Sequence, residues 1–331
     1  MEIKTISVIG GGSWATALVK IFCNKADVVH WWMRSASKAK YITKYKHNPR
    51  YLSSVQFQKD KIAVSTDLEE VISKADVIVI ATPSAFLMDV FGDRDNSDLK
   101  NKTIFSAVKG IVPEVDLIPA HFFHQYFGTP YNHIGIISGP CHAEEVALER
   151  LSYLTIASKD KNRAGVMANF MECRYIKTHT SQDLFGIEMS AVLKNIYSVA
   201  AGIFYGLGYG DNFQAVLISN ALQEIQRFVD VVNPMDRDVK SSAYLGDLLV
   251  TAYSQFSRNR TFGSMVGKGY SVMSAQLEMN MTAEGYYAAK SIIAINEKYQ
   301  VDMPIATAVY RILYDNISPA VEMKILAESL S

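Results

Sequence analysis

The sequence predicts two domains, an α/β domain built on a parallel sheet followed by an all-helical one. Three observations carry this prediction. Short β-branched runs alternate with helical stretches through the first half of the chain. A glycine-rich turn joins the first of these runs to the first helix. Beyond about residue 187, long helical patterns replace the alternation.

Taken in order, residues 5–9 (TISVI) form a strand and 13–24 a helix, and 28–32 form a second strand. Residues 77–81 (VIVIA) are wholly apolar, as expected of a strand buried on both faces, and Thr82-Pro83-Ser84 closes them. Residues 103–107 and 134–138 continue the series, ending at Lys109-Gly110 and Gly139-Pro140. Residues 154–157 and 175–178 read as edge strands. Helices are expected over 187–204, 215–232, 244–256, 284–299 and 303–314. Gly202, Gly206, Gly208 and Gly210 suggest a flexible or tightly packed link between two of them. The boundary falls within 183–190, so residues 1–187 form the first domain and 188–331 the second.

A chain of 331 residues has ample core for both. It is 49% hydrophobic and 20% charged, with a formal net charge of zero. That describes a soluble globular protein with no electrostatic footprint for nucleic acid or an anionic membrane. Cys23, Cys141 and Cys173 are far apart, with neither CxxC nor metal-ligand spacing. They read as reduced thiols in the cytoplasm, and no metal is expected. The opening residues lack the form of a signal peptide, and no uninterrupted apolar run nears the roughly 20 residues of a membrane span.

Gly10-Gly11-Gly12-Ser13-Trp14-Ala15 fits G-x-G-x-x-G/A between a strand and a helix, the setting of a Rossmann-like dinucleotide site. Gly10 permits the tight turn, Gly12 lets backbone approach a pyrophosphate, and Ala15 keeps strand and helix close. The helix start then offers N–H groups to the phosphates. An acid at the end of the second strand would favour NAD(H). The chain instead reads Trp31-Trp32-Met33-Arg34, so Arg34 is the candidate for a 2′-phosphate and NADP(H) is favoured, with NAD(H) possible.

In the helix over 187–204, Glu188 and Lys194 are the only charges. An ammonium buried there must find a partner or lose its proton, which makes Lys194 a candidate acid/base group. A lysine snorkelling at the edge of a helix bundle explains the pattern equally well. Asp247 is likewise alone in 244–256 and is the natural counter-charge. Thr251 lies one turn on, on the same face. Ser257-Arg258-Asn259-Arg260 follows, a donor cluster suited to a phosphate or simply a solvated helix end. Lys109 and the Gly139-Pro140-Cys141-His142 loop sit at the strand ends where α/β sheets place ligands. His142 reads as a structural or solvated loop histidine, and Cys141 has no evident activator.

In their order and spacing these motifs resemble the bacterial biosynthetic NAD(P)-dependent glycerol-3-phosphate dehydrogenases. The likeness spans nearly the whole chain. It rests on GGGSWATA (10–17), NPRYL (48–52), Thr82-Pro83-Ser84, Lys109-Gly110-Ile111, SGPCHAEEV (138–146), LKNIYSVAAG (193–202), GYGDN (208–212), LGDL (245–248), SRNR (257–260) and Glu284-Gly285. The resemblance implies reversible reduction of dihydroxyacetone phosphate to sn-glycerol 3-phosphate for phospholipid synthesis, by a homodimer. It implies that Lys194 exchanges the proton, with Lys109 and Asp247 completing the catalytic set. Ser257, Arg258 and Asn259 would hold the substrate phosphate. Gly139 and Cys141 would contact substrate, and Asn195 and Thr251 join that set as neighbours of the catalytic pair. Cofactor contacts would be Ser13, Trp14, Arg34, Ala143, Thr282 and Glu284 beside the glycines, with Lys109 and Arg258 near it. Three departures stand out: Ala15 for the third glycine, Cys141 where serine or threonine is common, and Tyr244 and Ala252 around Leu-Gly-Asp. Two rivals remain, another two-domain dehydrogenase of β-hydroxyacid or 6-phosphogluconate type and a catalytically silent NADP(H) sensor.

Overall fold

β-branched runs become strands where both faces can be covered. β1 (Ile6–Ile9) leads through a glycine turn into α1 (Ser13–Phe22), then β2 (Val29–Trp32) and α2 (Ala36–Tyr45). After β3 (Ile62–Ser65) come β4 (Val77–Ile80), β5 (Thr103–Ser106), β6 (Ile134–Ser138), β7 (Ser152–Ser158) and β8 (Ile176–Ser181). They form one sheet of order β3-β2-β1-β4-β5-β6-β7-β8 in the computed structural model, which describes residues 3–92, 97–279 and 283–331. Every neighbouring pair is parallel except β6–β7. The 3-2-1-4-5-6 core is the doubly wound order, and its switch point lies between β1 and β4. All four residues of β1, β4 and β5 are buried, as their unbroken apolar pattern requires.

Two readings change here. β3 was not foreseen: it is an edge strand in which Ile62 alone is buried, so its apolar signal is short. β7 is not an edge strand. It lies between β6 and β8, and only β8 stands at the edge.

The chain divides into two compact units. The first runs to Val108 and resumes over Pro119–Leu184, and the second comprises Lys109–Ile118 with Phe185–Ser331. The chain thus passes between the units at residue 184 and also, briefly, at Lys109–Ile118, a transfer that nothing in the strand pattern marks.

In the helical unit, α3 (Leu184–Gly206) is followed by α4 (Asp211–Val232), α5 (Asp247–Tyr253) and α6 (Arg258–Gly267). Then come α7 (Val272–Glu278), α8 (Glu284–Tyr299), α9 (Pro304–Leu313) and α10 (Pro319–Ser329). By length and composition α3 could cross a membrane, yet its apolar window is wholly buried, as in a core helix. The helix expected over 244–256 is shorter, because a π turn over Ser242–Gly246 precedes it and the chain leaves helix at Ser254. Gly202 and Gly206 are helical residues rather than a link. A Cβ on Gly202 would stand 2.2 Å from the Arg260 carbonyl oxygen, and one on Gly263 would stand 2.1 Å from that of Val199. The backbones of α3 and α6 therefore meet with no room for a methyl group.

Candidate active site

Lys194 is buried in the middle of α3, and its ammonium donates to Asp247 Oδ1 at 2.5 Å and to Thr251 Oγ1 at 2.9 Å. The Thr251 hydroxyl in turn donates to the Asp247 carbonyl at 2.7 Å, so one turn of α5 supplies both acceptors. Lys109 Nζ approaches the same carboxylate, 3.1 Å from Oδ2 and 3.3 Å from Oδ1. Asp247 is 1% exposed and shares its two oxygens between two ammonium groups.

The electrostatics follow from that count. Burial pushes the Lys194 ammonium down to about 7; the Asp247 carboxylate offsets this only in part, and Lys109 adds a smaller repulsion. Burial acts to raise the Asp247 carboxyl, but the two lysines outweigh it and hold it below the usual carboxylate range. The group can thus hold or release a proton at Lys194 near neutral pH while Asp247 stays ionised. Of the two readings of Lys194, the snorkelling one is excluded by its burial.

The neighbouring side chains are fixed by further bonds. Asn195 Nδ2 donates to the Lys109 carbonyl at 2.5 Å, and Asn195 Oδ1 accepts from Asn259 Nδ2 at 2.9 Å. Asn259 Oδ1 accepts the Gly285 N–H at 2.9 Å, near the start of α8. Ser257 caps α6, its oxygen accepting from Arg260 N–H, and lies 2.9 Å from the Ser198 hydroxyl. Ser198 also donates to the Thr251 carbonyl at 2.7 Å. The 257–260 cluster is therefore no solvated helix end, since Ser257 and Asn259 are buried and Arg260 lies over the Tyr205 ring at 4.5 Å. Arg258 is half-buried at the first position of α6, and Glu284 opens α8.

In the other unit, Gly10 has φ +139° and no space for a side chain, a Cβ there standing 2.5 Å from the Ala81 carbonyl oxygen. A Cβ on Gly12 would meet nothing within 4 Å. Gly12 is the N-cap of α1 and offers no side-chain cap, which leaves the helix start without a capping side chain of its own, as a pyrophosphate site requires. Ser13 and Ala15 are buried and Trp14 half-buried behind them. Arg34 is exposed beyond β2, its guanidinium over the Phe86 ring at 5.5 Å. Gly139, Cys141 and Ala143 follow β6, the last opening a short helix (Ala143–Ala147) for which His142 is the N-cap. Thr282 lies outside the described residues.

Two family models match the chain, the N-terminal part of NAD-dependent glycerol-3-phosphate dehydrogenase over residues 5–164 and the C-terminal part over residues 183–324. This chain belongs to the NAD-dependent glycerol-3-phosphate dehydrogenase family. A glycerol-3-phosphate dehydrogenase [NAD(P)+] of Staphylococcus aureus is 34% identical over 314 residues, covering 95% of this chain and 94% of that protein. The crystal structure of glycerol-3-phosphate dehydrogenase from Coxiella burnetii superposes with a TM-score of 0.90 at 27% identity, over 98% of this chain and 99% of that one. The D-mandelate dehydrogenase complex with NADH shares the fold alone, at a TM-score of 0.60 and 14% identity over 97% and 99% of the two chains. As a glycerol-3-phosphate dehydrogenase the chain is an NAD(P)-dependent oxidoreductase, and the rival dehydrogenase classes fall away.

Sequence reasoning missed two residues that hold these candidate groups. Ser198 ties α3 to both α5 and the cap of α6, and the signal was a hydroxyl one turn from Lys194 in an otherwise apolar helix. Phe86, which lies under the Arg34 guanidinium, carries no signal beyond its place after Thr82-Pro83-Ser84.

Proposed function

We propose that this protein reduces dihydroxyacetone phosphate reversibly to sn-glycerol 3-phosphate with NAD(P)H, and that Lys194 exchanges the proton with the C2 oxygen. The observation that carries the assignment is the buried Lys194–Asp247–Lys109 group. Asp247 and Thr251 take two of the three hydrogens an ammonium carries, and the third serves the substrate. Lys109 stabilises the negative charge that develops on that oxygen, and Asp247 keeps the pair of cations in place.

The phosphate falls to Arg258 and the start of α6, with Ser257 at its cap. A helix that opens Arg-Asn-Arg sets two cations against the positive end of its own dipole, an arrangement an anion would relieve. Asn195 and Asn259 each have one amide hydrogen committed and a second to offer, and their fixed amides need no reordering on binding. Gly139 and Cys141 serve the substrate from the loop after β6.

Gly10, Gly12, Ser13, Trp14 and Ala15 hold the cofactor's pyrophosphate region, with Ala143 as a further contact from the same unit. Arg34, with no acid at the end of β2, supports NADP(H) over NAD(H). When bound, the nicotinamide supplies or accepts the hydride. The working form is a cytoplasmic homodimer that feeds glycerophospholipid synthesis.

The test is oxidation of NADPH, then NADH, with dihydroxyacetone phosphate and with unphosphorylated dihydroxyacetone. Turnover should need the phosphate and run better with NADPH. Tight NADPH binding without turnover would instead identify a silent sensor.

A further inference from the structure

Asn48 lies in the turn after α2, is 1% exposed, and uses its whole amide. Its Nδ2 donates to Thr16 Oγ1 at 2.9 Å and to the Gly11 carbonyl at 3.3 Å. Its Oδ1 accepts the N–H groups of Arg50 at 3.1 Å and Tyr51 at 3.2 Å. The Thr16 hydroxyl passes its own hydrogen to the Gly12 carbonyl at 2.8 Å. One buried side chain thus reaches two successive carbonyls of the glycine loop, the first directly and the second through Thr16.

That arrangement fixes the opposite side of the loop. In a trans peptide the carbonyl and the following N–H point in opposite directions. With the Gly11 carbonyl turned to Asn48, the Gly12 N–H points away from it. With the Gly12 carbonyl turned to Thr16, the Ser13 N–H does the same. These are the donors that a helix start presents to an anion. We infer that Asn48 is a positioning residue for the cofactor, aiming the Gly12 and Ser13 N–H groups at the pyrophosphate without touching it. The inference rests on the reading that this loop holds the dinucleotide.

An asparagine that merely secured its own turn would alter stability and leave cofactor affinity in step with everything else. The two cases separate in Asn48→Ala and Thr16→Val, with Kd for NADPH and NADH read by fluorescence titration, KM for dihydroxyacetone phosphate by turnover, and folding by thermal melting. A net hydrogen bond is worth up to about tenfold in affinity, so Asn48→Ala should weaken NADPH and NADH alike by about five- to tenfold. The pyrophosphate is common to both cofactors, whereas loss at Arg34 would fall on NADPH alone. The KM for dihydroxyacetone phosphate should move at least threefold less. A folded Asn48→Ala protein whose Kd stays within twofold of wild type, or whose two constants rise together, overturns the inference. If that variant does not fold, Thr16→Val decides by the same criterion, with about threefold weakening expected. Failure of wild-type protein to bind either cofactor would instead overturn the underlying reading of the loop.

Discussion

Replacing Asp247 by asparagine keeps the shape of the side chain and removes the charge between Lys194 and Lys109. Removing one member of a buried ion pair costs about 3–5 kcal/mol, and each pKa unit corresponds to about 1.4 kcal/mol. At the lower end, Lys194 falls about two units below its value of about 7. Near pH 7.5 its protonated fraction then drops from about a quarter to about one part in 300, an ~80-fold loss of kcat for reduction. The sign makes the effect reversible: acidification to near pH 5.5 re-protonates the amine and should bring the variant to within about fourfold of wild type. Stopped-flow oxidation of NADPH from pH 5 to 9 at saturating substrate gives both curves. A variant within threefold of wild type near pH 7.5, or one whose midpoint has not moved, would refute the role of Asp247 in holding the proton on Lys194.

Lys194→Ala should lower kcat by about 10³-fold or more with cofactor Kd changed less than about threefold; more than a tenth of wild-type kcat would remove Lys194 from the proton step. On the proposed role of Lys194, reduction needs the charged amine and oxidation the neutral one. The forward kcat should therefore fall, and the reverse rise, as pH passes through about 7, and parallel profiles would contradict the assignment. Arg34→Ala should raise KM for NADPH about tenfold and leave NADH within about twofold, and equal effects would detach Arg34 from the 2′-phosphate. Gly263→Ala places a methyl 2.1 Å from the Val199 carbonyl oxygen, so about 1–3 kcal/mol of stability should be lost, with a raised KM for dihydroxyacetone phosphate as α6 shifts. An unchanged melting temperature would show that the seam can yield.

Parallel strands buried on both faces announce themselves as unbroken apolar runs, so β1, β4, β5 and β6 were legible almost to the residue. β3 was not, because an edge strand needs little apolar surface. The Lys194–Asp247 pair was legible for a related reason: a solitary charge in an apolar helix needs a partner, and two such helices supplied one each. Lys109 as the third member came from its place at a strand end and from the family resemblance. Its joining of Asp247 depends on tertiary packing that no local pattern encodes. Asn48 and Ser198 were hidden because a buried amide or hydroxyl looks in sequence like any loop or helix residue. The glycines of α3 and α6 were visible, but their meaning depends on which backbone each one faces.

The brief excursion of Lys109–Ile118 has a consequence for how the gene can be cut. A fragment encoding 185–331 would carry Lys194, Asp247 and the α6 cap but only one of the two lysines, and its companion fragment would end in a strand sequence interrupted by a segment with nowhere to dock. Swapping the nucleotide-binding half against that of another dehydrogenase would replace Lys109 along with it, even though that lysine belongs to the helical half. Chimeras of this protein therefore call for a splice at three places, before 109, after 118 and after 184, and a single crossover near the apparent boundary would part Lys109 from Asp247.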